Sequence, residues 1–265
     1  MTKIADKVIM ITGASSGIGE ALAYQLAEMG ARLILSARRK EELDRVKSAC
    51  SHQENIRILP LDLADAFAIS QKAKEAESFF DRVDILVSCG GISQRDKVIH
   101  TKMEVDRQIM EVNYFGTIGL TKALLPGMVK RKSGHQVVIT SAVGIVSTPF
   151  RSSYAASKHA LHGFYDALRA EHHADGLKVS IILPGYVKTK ISFNALMGDG
   201  SKQDKMDNAQ DNGLSPEECA AKIIRAVERD KEEVYIGGFR EVTGIYLKRF
   251  VPGLFSKIIR KTAVT

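Results

Sequence analysis

Along the 265-residue chain, short apolar runs rich in β-branched residues alternate with longer stretches whose apolar positions return every three or four residues. The runs at 8–12, 32–36, 56–61, 85–88, 136–140, 179–183 and 234–236 read as strands. The stretches at 17–29, 40–49, 65–80, 103–132, 152–174 and 216–229 read as helices. The strand runs are apolar at nearly every position, which fits strands covered on both faces. The pattern therefore predicts a single α/β domain, a doubly wound parallel sheet of about seven strands with helices on both sides. Residues 198–213 break the rhythm with Asp, Lys, Gln, Asn and Gly and almost nothing to bury, so they read as a mobile loop. Beyond the last strand, Leu247, Phe250, Val251, Leu254, Phe255, Ile258 and Ile259 recur at helical spacing around Pro252-Gly253. The chain thus divides into a sheet domain at 1–238 and an amphipathic C-terminal extension of the same domain at 239–265.

Chemistry enters at the first strand–helix junction, Thr12-Gly13-Ala14-Ser15-Ser16-Gly17-Ile18-Gly19. Gly13 gives the backbone freedom to leave a strand and enter a helix, and Gly17 and Gly19 remove side chains where a pyrophosphate and a neighbouring strand come close. The helix N-terminus then offers free amides and a positive dipole end to phosphates. An ordinary strand–helix turn is the competing reading, but strand, spacing and helix agree on a Rossmann-type dinucleotide site. An acidic residue closing the second strand would hydrogen-bond the ribose of NAD; this chain has Ser36-Ala37-Arg38-Arg39 instead. Guanidinium forks suit a 2′-phosphate, and the serine hydroxyl can add to that contact, so the cofactor expected is NADP(H). After the third strand, Asp62-Leu63 places a carboxylate that either reaches the adenine amino group or caps the next helix.

Tyr154 and Lys158 lie four residues apart on a helical pattern, hence on one face. A phenol normally titrates near ~10, and an adjacent ammonium favours its ionised form, so Lys158, together with the positive nicotinamide, is expected to pull Tyr154 toward a working proton-transfer range. Ser141 closes a predicted strand at the sheet edge where such folds bind ligands, and its hydroxyl can hydrogen-bond a substrate oxygen as charge develops. Asn113 is a poor helix former in an apolar context, so its amide is expected to find a backbone carbonyl and a water leading to Lys158.

In type, order and spacing these residues resemble the short-chain dehydrogenase/reductase family over nearly the whole chain: TGxxxGIG at 12–19, Asn113, Ser141, Tyr154 and Lys158, and Pro184-Gly185-Tyr186-Val187-Lys188-Thr189. The resemblance implies that Tyr154 is the acid/base, that Ser141 orients the carbonyl, and that Lys158 also holds the nicotinamide ribose. It further implies that Asn113 supports a proton relay, that Ile18 and Val187 touch the cofactor beside Pro184 and Gly185, and that Thr189 binds the carboxamide side. One motif departs, because Ser88-Cys89-Gly90-Gly91 stands where the family usually has Asn-Asn-Ala-Gly. Gly91 keeps the close backbone approach expected at the adenosine ribose, and Cys89 is either a reactive thiol or a small buried residue. Within the family the pattern is most similar to relatives of 11β-hydroxysteroid dehydrogenase and the dehydrogenase/reductase member 7 group, which implies an apolar carbonyl substrate and self-association as a homodimer or homotetramer.

Composition narrows the rest. A net charge of +7 is spread along the chain without interleaved aromatics, which argues against nucleic acid. Three widely separated cysteines, Cys50, Cys89 and Cys219, suggest neither a disulfide framework nor a metal site. No apolar run reaches the ~20 residues of a membrane span, and the N-terminus lacks a signal-peptide pattern or the anchor found in many of these relatives, so a cytoplasmic protein is expected. The extension carries Arg240, Lys248, Arg249, Lys257, Arg260 and Lys261 against Glu241. It could pack on the domain or a partner, cap an apolar pocket, or give peripheral membrane contact through 240–265. Ile191, Phe193, Leu196 and Met197 are expected to form an apolar substrate wall. The leading function is NADP(H)-linked reduction of a bulky apolar ketone or aldehyde, or the reverse; the alternatives are a non-catalytic NADP(H) sensor or scaffold and a peripheral-membrane lipid-modifying enzyme.

Overall fold

The computed structural model describes residues 1–261, without the side chain of Arg240; the end of the predicted extension, 262–265, lies outside the described residues. Seven parallel strands form one sheet: β1 (Val8–Thr12), β2 (Arg32–Ala37), β3 (Ile56–Pro60), β4 (Ile85–Ser88), β5 (Gly134–Ile139), β6 (Leu177–Pro184) and β7 (Glu233–Ile236), in spatial order β3-β2-β1-β4-β5-β6-β7. The connections are helical: α1 (Gly17–Glu28), α2 (Lys40–Ala49), α3 (Ala66–Phe80), α4 (Met103–Met110), α5 (Gly116–Lys130), α6 (Ser152–Glu171), a single turn α7 (Asn208–Asp211) and α8 (Pro216–Glu228), with α9 (Phe239–Phe250) and α10 (Pro252–Ile259) after β7.

The inner strands β1, β2 and β4 bury both faces, as their apolar sequence requires, whereas the edge strands β3 and β7 are partly exposed. In β1, Ile9 and Ile11 join Leu22 and Leu26 of α1 and Ile223 and Val227 of α8, while Val8 and Met10 face Ala73 of α3 and Leu120 and Leu124 of α5. Leu161, Tyr165 and Leu168 of α6 pack on Val138, Val179, Ile181 and Leu183 farther along that second face. Local signals fix some boundaries: Ser215 and Glu218 form a reciprocal capping box with Pro216 in the first turn of α8. Chain order reverses between β1 and β4, and the crevice at their carboxyl ends is where open α/β sheets bind ligands.

Two expectations need correction. The single helix expected at 103–132 is interrupted by a π-turn, Glu111–Phe115, between α4 and α5. The inserted residue turns Asn113 inward, where its amide is fully buried; a one-residue change in period is invisible in an apolar pattern. The segment 198–213 is not a loop with nothing to bury. Asp207 and Gln210 are 3% and 7% exposed, and Asp207 is held by two arginines from distant loops. The sequence shows the polarity of that segment but not the charges waiting for it.

Candidate functional site

The crevice opens at the turn after β1. Gly13 has φ +68°, and a Cβ there would lie 2.8 Å from Gly90 Cα, so only glycine lets the two backbones meet. Thr12 Oγ1 ties the junction together by accepting from the amides of Cys89 and Gly90, each at 3.1 Å, and the Ala14 amide donates to Ser36 O at 3.1 Å. Gly19 packs directly on the Gly13 carbonyl. Ser15 is buried, whereas Ser16 is exposed at the start of α1 with its hydroxyl unused as a cap. Along the rim, Arg38 and Arg39 are exposed just past β2. Ser36 is 1% exposed, and its Oγ has no hydrogen-bond partner among the described residues. Asp62 is exposed and accepts from the Ala64 amide at 3.0 Å, and Leu63 is buried against Gly90.

Beneath the turn lies a cavity of about 700 Å³. Ile18, Gly91, Ser141, Tyr154, Lys158, Pro184, Gly185, Val187 and Thr189 all line it, so sequence-distant candidates converge on one space. Ser141, two residues past β5, accepts from the Val143 amide at 3.2 Å and lies within hydrogen-bonding reach of the Tyr154 phenol. Lys158, 5% exposed, donates from Nζ to Ile139 O at 2.9 Å and sits 5.7 Å from the centre of the Tyr154 ring. Asn113 finds the backbone carbonyl expected for it. Its Oδ1 accepts from the Ile92 amide at 2.8 Å, and its Nδ2 donates to Ile92 O at 2.9 Å and Ser157 Oγ at 3.0 Å. The amide thereby clamps the loop after β4 to α6.

Burial works against the neighbouring charges. Burial dominates Tyr154 and raises its phenol above the ordinary value, while Arg95, the Ser141 hydrogen bond and Arg151 pull the other way. Burial also lowers the Lys158 ammonium to about 8. Desolvation penalises both charged forms together, and that penalty cannot be read from spacing alone. Burial likewise raises the Cys89 thiol to about 11, so it is protonated at neutral pH, although the residue is only partly buried and lines the cavity.

Several wall residues were not foreseen. Of the expected apolar wall only Ile191 lines the cavity, and Phe193 is 40% exposed. The apolar lining comes instead from the extension: Phe239 and Leu247 of α9, and Phe255, Ile258 and Ile259 of α10. The Lys248 ammonium donates to Ile145 O and fastens α9 over the site. Arg95 and Arg151 also line the cavity. Arg151 immediately precedes α6, where the helix dipole disfavours cations, and that misfit was the available signal.

A model of the short chain dehydrogenase family matches residues 7–197. The chain is 43% identical over 263 residues to a dehydrogenase/reductase SDR family protein 7-like of Anopheles gambiae, covering 97% of this chain and 83% of the relative. Its fold is similar to a short-chain dehydrogenase from Streptomyces avermitilis, with a TM-score of 0.83, 29% identity and coverage of 99% of this chain and 100% of that one. It is also similar to an alcohol dehydrogenase from Thermococcus sibiricus complexed with 5-hydroxy-NADP, with a TM-score of 0.74, 28% identity and coverage of 88% and 97%. With the glycine junction and the converging Ser141, Tyr154 and Lys158 in one crevice, these matches establish that the chain belongs to the short-chain dehydrogenase/reductase family of oxidoreductases.

Proposed function

We propose that the protein is an NADP(H)-dependent oxidoreductase that interconverts a carbonyl and an alcohol, with Tyr154 as the proton-transfer residue. The observation that carries this reading is the convergence of Ser141, Tyr154 and Lys158 on the cavity beneath the glycine junction. The residues fit a dinucleotide. The backbone cradle at Gly13 and Gly19 excludes any side chain, and α1 begins with its amides unclaimed by a capping side chain. For the 2′-phosphate form the support is the exposed pair Arg38 and Arg39, the lack of any acid between Ser36 and Lys40, and the NADP analogue in the Thermococcus sibiricus relative.

When bound, the nicotinamide supplies or accepts the hydride. Ser141 hydrogen-bonds the substrate oxygen and strengthens that bond as negative charge develops. Tyr154 gives its proton to the same oxygen. A phenol held above its ordinary value stays protonated at neutral pH and so holds the proton that reduction consumes. Lys158, oriented by Ile139 O, holds the ribose and favours the phenolate left after proton transfer. Asn113 acts at one remove, by fixing the loop after β4 against α6.

A panel of aldehydes and ketones assayed for NADPH oxidation, repeated with NADH, tests the reaction class. Tyr154→Phe should lower turnover by about 10²–10⁴-fold while the affinity for NADPH stays within about threefold. Undiminished turnover in that variant refutes the assignment.

A further inference from the structure

The two C-terminal helices turn apolar side chains outward where a helix ending on water would be polar. α9 buries Ile245 and sets Leu247 into the cavity wall, so its opposite side should carry charge. Phe239, Tyr246 and Phe250 stand there instead. Tyr246 and Phe250 follow Phe239 by seven and eleven positions and so share its face, with Phe239 86% and Phe250 75% exposed. The face continues round the corner between the helices. Val251 and Leu254 are exposed, and no residue of α10 is buried although it carries Leu254, Phe255, Ile258 and Ile259. Exposed apolar side chains are ordinary one at a time, but a run of them along two adjoining elements marks a surface that meets something apolar.

The charges around the corner say what that is. Arg249 lies just before it, and Lys257, Arg260 and Lys261 lie after it, all exposed. Glu241, the one acid of residues 239–261, lines the cavity and packs on Gly185, and Glu233 of the neighbouring β7 accepts the Tyr235 hydroxyl. Lys248 is already bonded to Ile145 O. A second copy of the chain would bring the same cations together across a two-fold axis, so the face is ill suited to self-association. An apolar corner with cations on both sides matches the boundary of an anionic bilayer. There phenyl and leucyl groups enter the acyl region while lysine and arginine stems reach back to the headgroups.

We propose that α9 and α10 dock the protein on an anionic lipid surface, with Phe239, Phe250, Val251 and Leu254 at the acyl boundary and Arg249, Lys257, Arg260 and Lys261 against lipid phosphates. Phe239 faces outward and also lines the cavity, so the docked protein sets one wall of its pocket against the bilayer. The docking does not depend on the role given to Tyr154.

Flotation of the full chain with vesicles of phosphatidylcholine, alone or mixed with phosphatidylglycerol, tests this at low and high salt. At low salt the protein should partition onto the mixed vesicles about tenfold or more better than onto the neutral ones, and high salt should remove the preference. Lys257→Gln combined with Arg260→Gln should lower partitioning onto mixed vesicles roughly tenfold or more, since each cation near such a surface is worth about fivefold. Phe250→Ser combined with Leu254→Ser should lower it at least about tenfold. These four side chains are exposed and outside the cavity lining, so both double variants should keep the wild-type circular dichroism spectrum. The chain has no tryptophan, so in Phe250→Trp the single indole reports its own surroundings. Its emission should shift to the blue on mixed vesicles and be quenched by brominated acyl chains. No preference for anionic vesicles, binding with the indole emission unmoved, or wild-type partitioning in the Phe250→Ser, Leu254→Ser variant overturns the proposal. So does a sedimentation mass that falls in that variant, which would place a second copy of the chain on the face.

Discussion

Lys158→Met should make the protein more stable and inactive at once. The lysine stem is buried and its replacement is nearly isosteric, so packing changes little. What disappears is a charge the fold disfavours. Lowering the ammonium from 10.5 to about 8 corresponds to roughly 3 kcal/mol against the charged form at neutral pH. Against that gain, Ile139 O loses its 2.9 Å hydrogen bond, which costs about 1 kcal/mol. The net is about 2 kcal/mol, or a melting temperature higher by roughly 4–8 °C for a chain of this size. The pH dependence supplies a signature. Below pH 8 the lysine is protonated in both folded and unfolded chains, and the variant has its full advantage. Between 8 and 10.5 the folded wild type sheds the proton first, its stability rises relative to the variant, and the gap closes. Urea unfolding of both proteins at pH 7 and pH 10, followed by circular dichroism, reads the gap directly. A variant no more stable than wild type at pH 7, or a gap that does not shrink by pH 10, would show that Lys158 is not held against its charge.

Two other perturbations probe the scaffold. His135 is buried, with Nε2 at 2.8 Å from Ser180 Oγ and Nδ1 without a partner among the described residues, and burial lowers it to about 4. Its neutral form contributes stability present above pH 6.5 and lost as pH falls toward 4, roughly 3 kcal/mol in all, so His135→Gln should flatten stability across that window in urea titrations; a wild-type slope retained in the variant would exclude His135 as its source. Gly13→Ala sets a side chain at φ +68° and 2.8 Å from Gly90 Cα, which should destabilise the fold by about 2–3 kcal/mol and weaken NADPH binding at least tenfold in fluorescence titration; wild-type affinity would mean the junction does not form the cradle.

What could be read beforehand follows the range of each interaction. Residues 12–19 carry their own strand, turn and helix signals, and Tyr154 and Lys158 are one helical turn apart, so both survived the passage from sequence to structure. The seven strands were equally visible, because apolar runs in a parallel sheet need no partner to declare themselves. Arg95 and Asp207, 112 positions apart, meet only because the loops after β4 and β6 fold over the same crevice. No local pattern marks either. Desolvation of Tyr154 is likewise a property of the assembled cavity, which is why an argument from neighbouring charges left it out. The extension announced its helices by spacing and left capping of an apolar pocket as one of three readings; spacing alone did not choose it over the apolar wall expected from residues after Pro184.

The proton-handling side chains hang from the end of β5 and from α6, whereas the apolar ceiling hangs from α9 and α10, beyond β7. These are separate parts of the chain, joined over the cavity by the bond from Lys248 to Ile145 O. Drift in the ceiling can therefore retune which molecule is admitted while the hydrogen-bonded floor stays as it is, and grafting another terminal helix pair onto this sheet would redirect selectivity without rebuilding the catalyst.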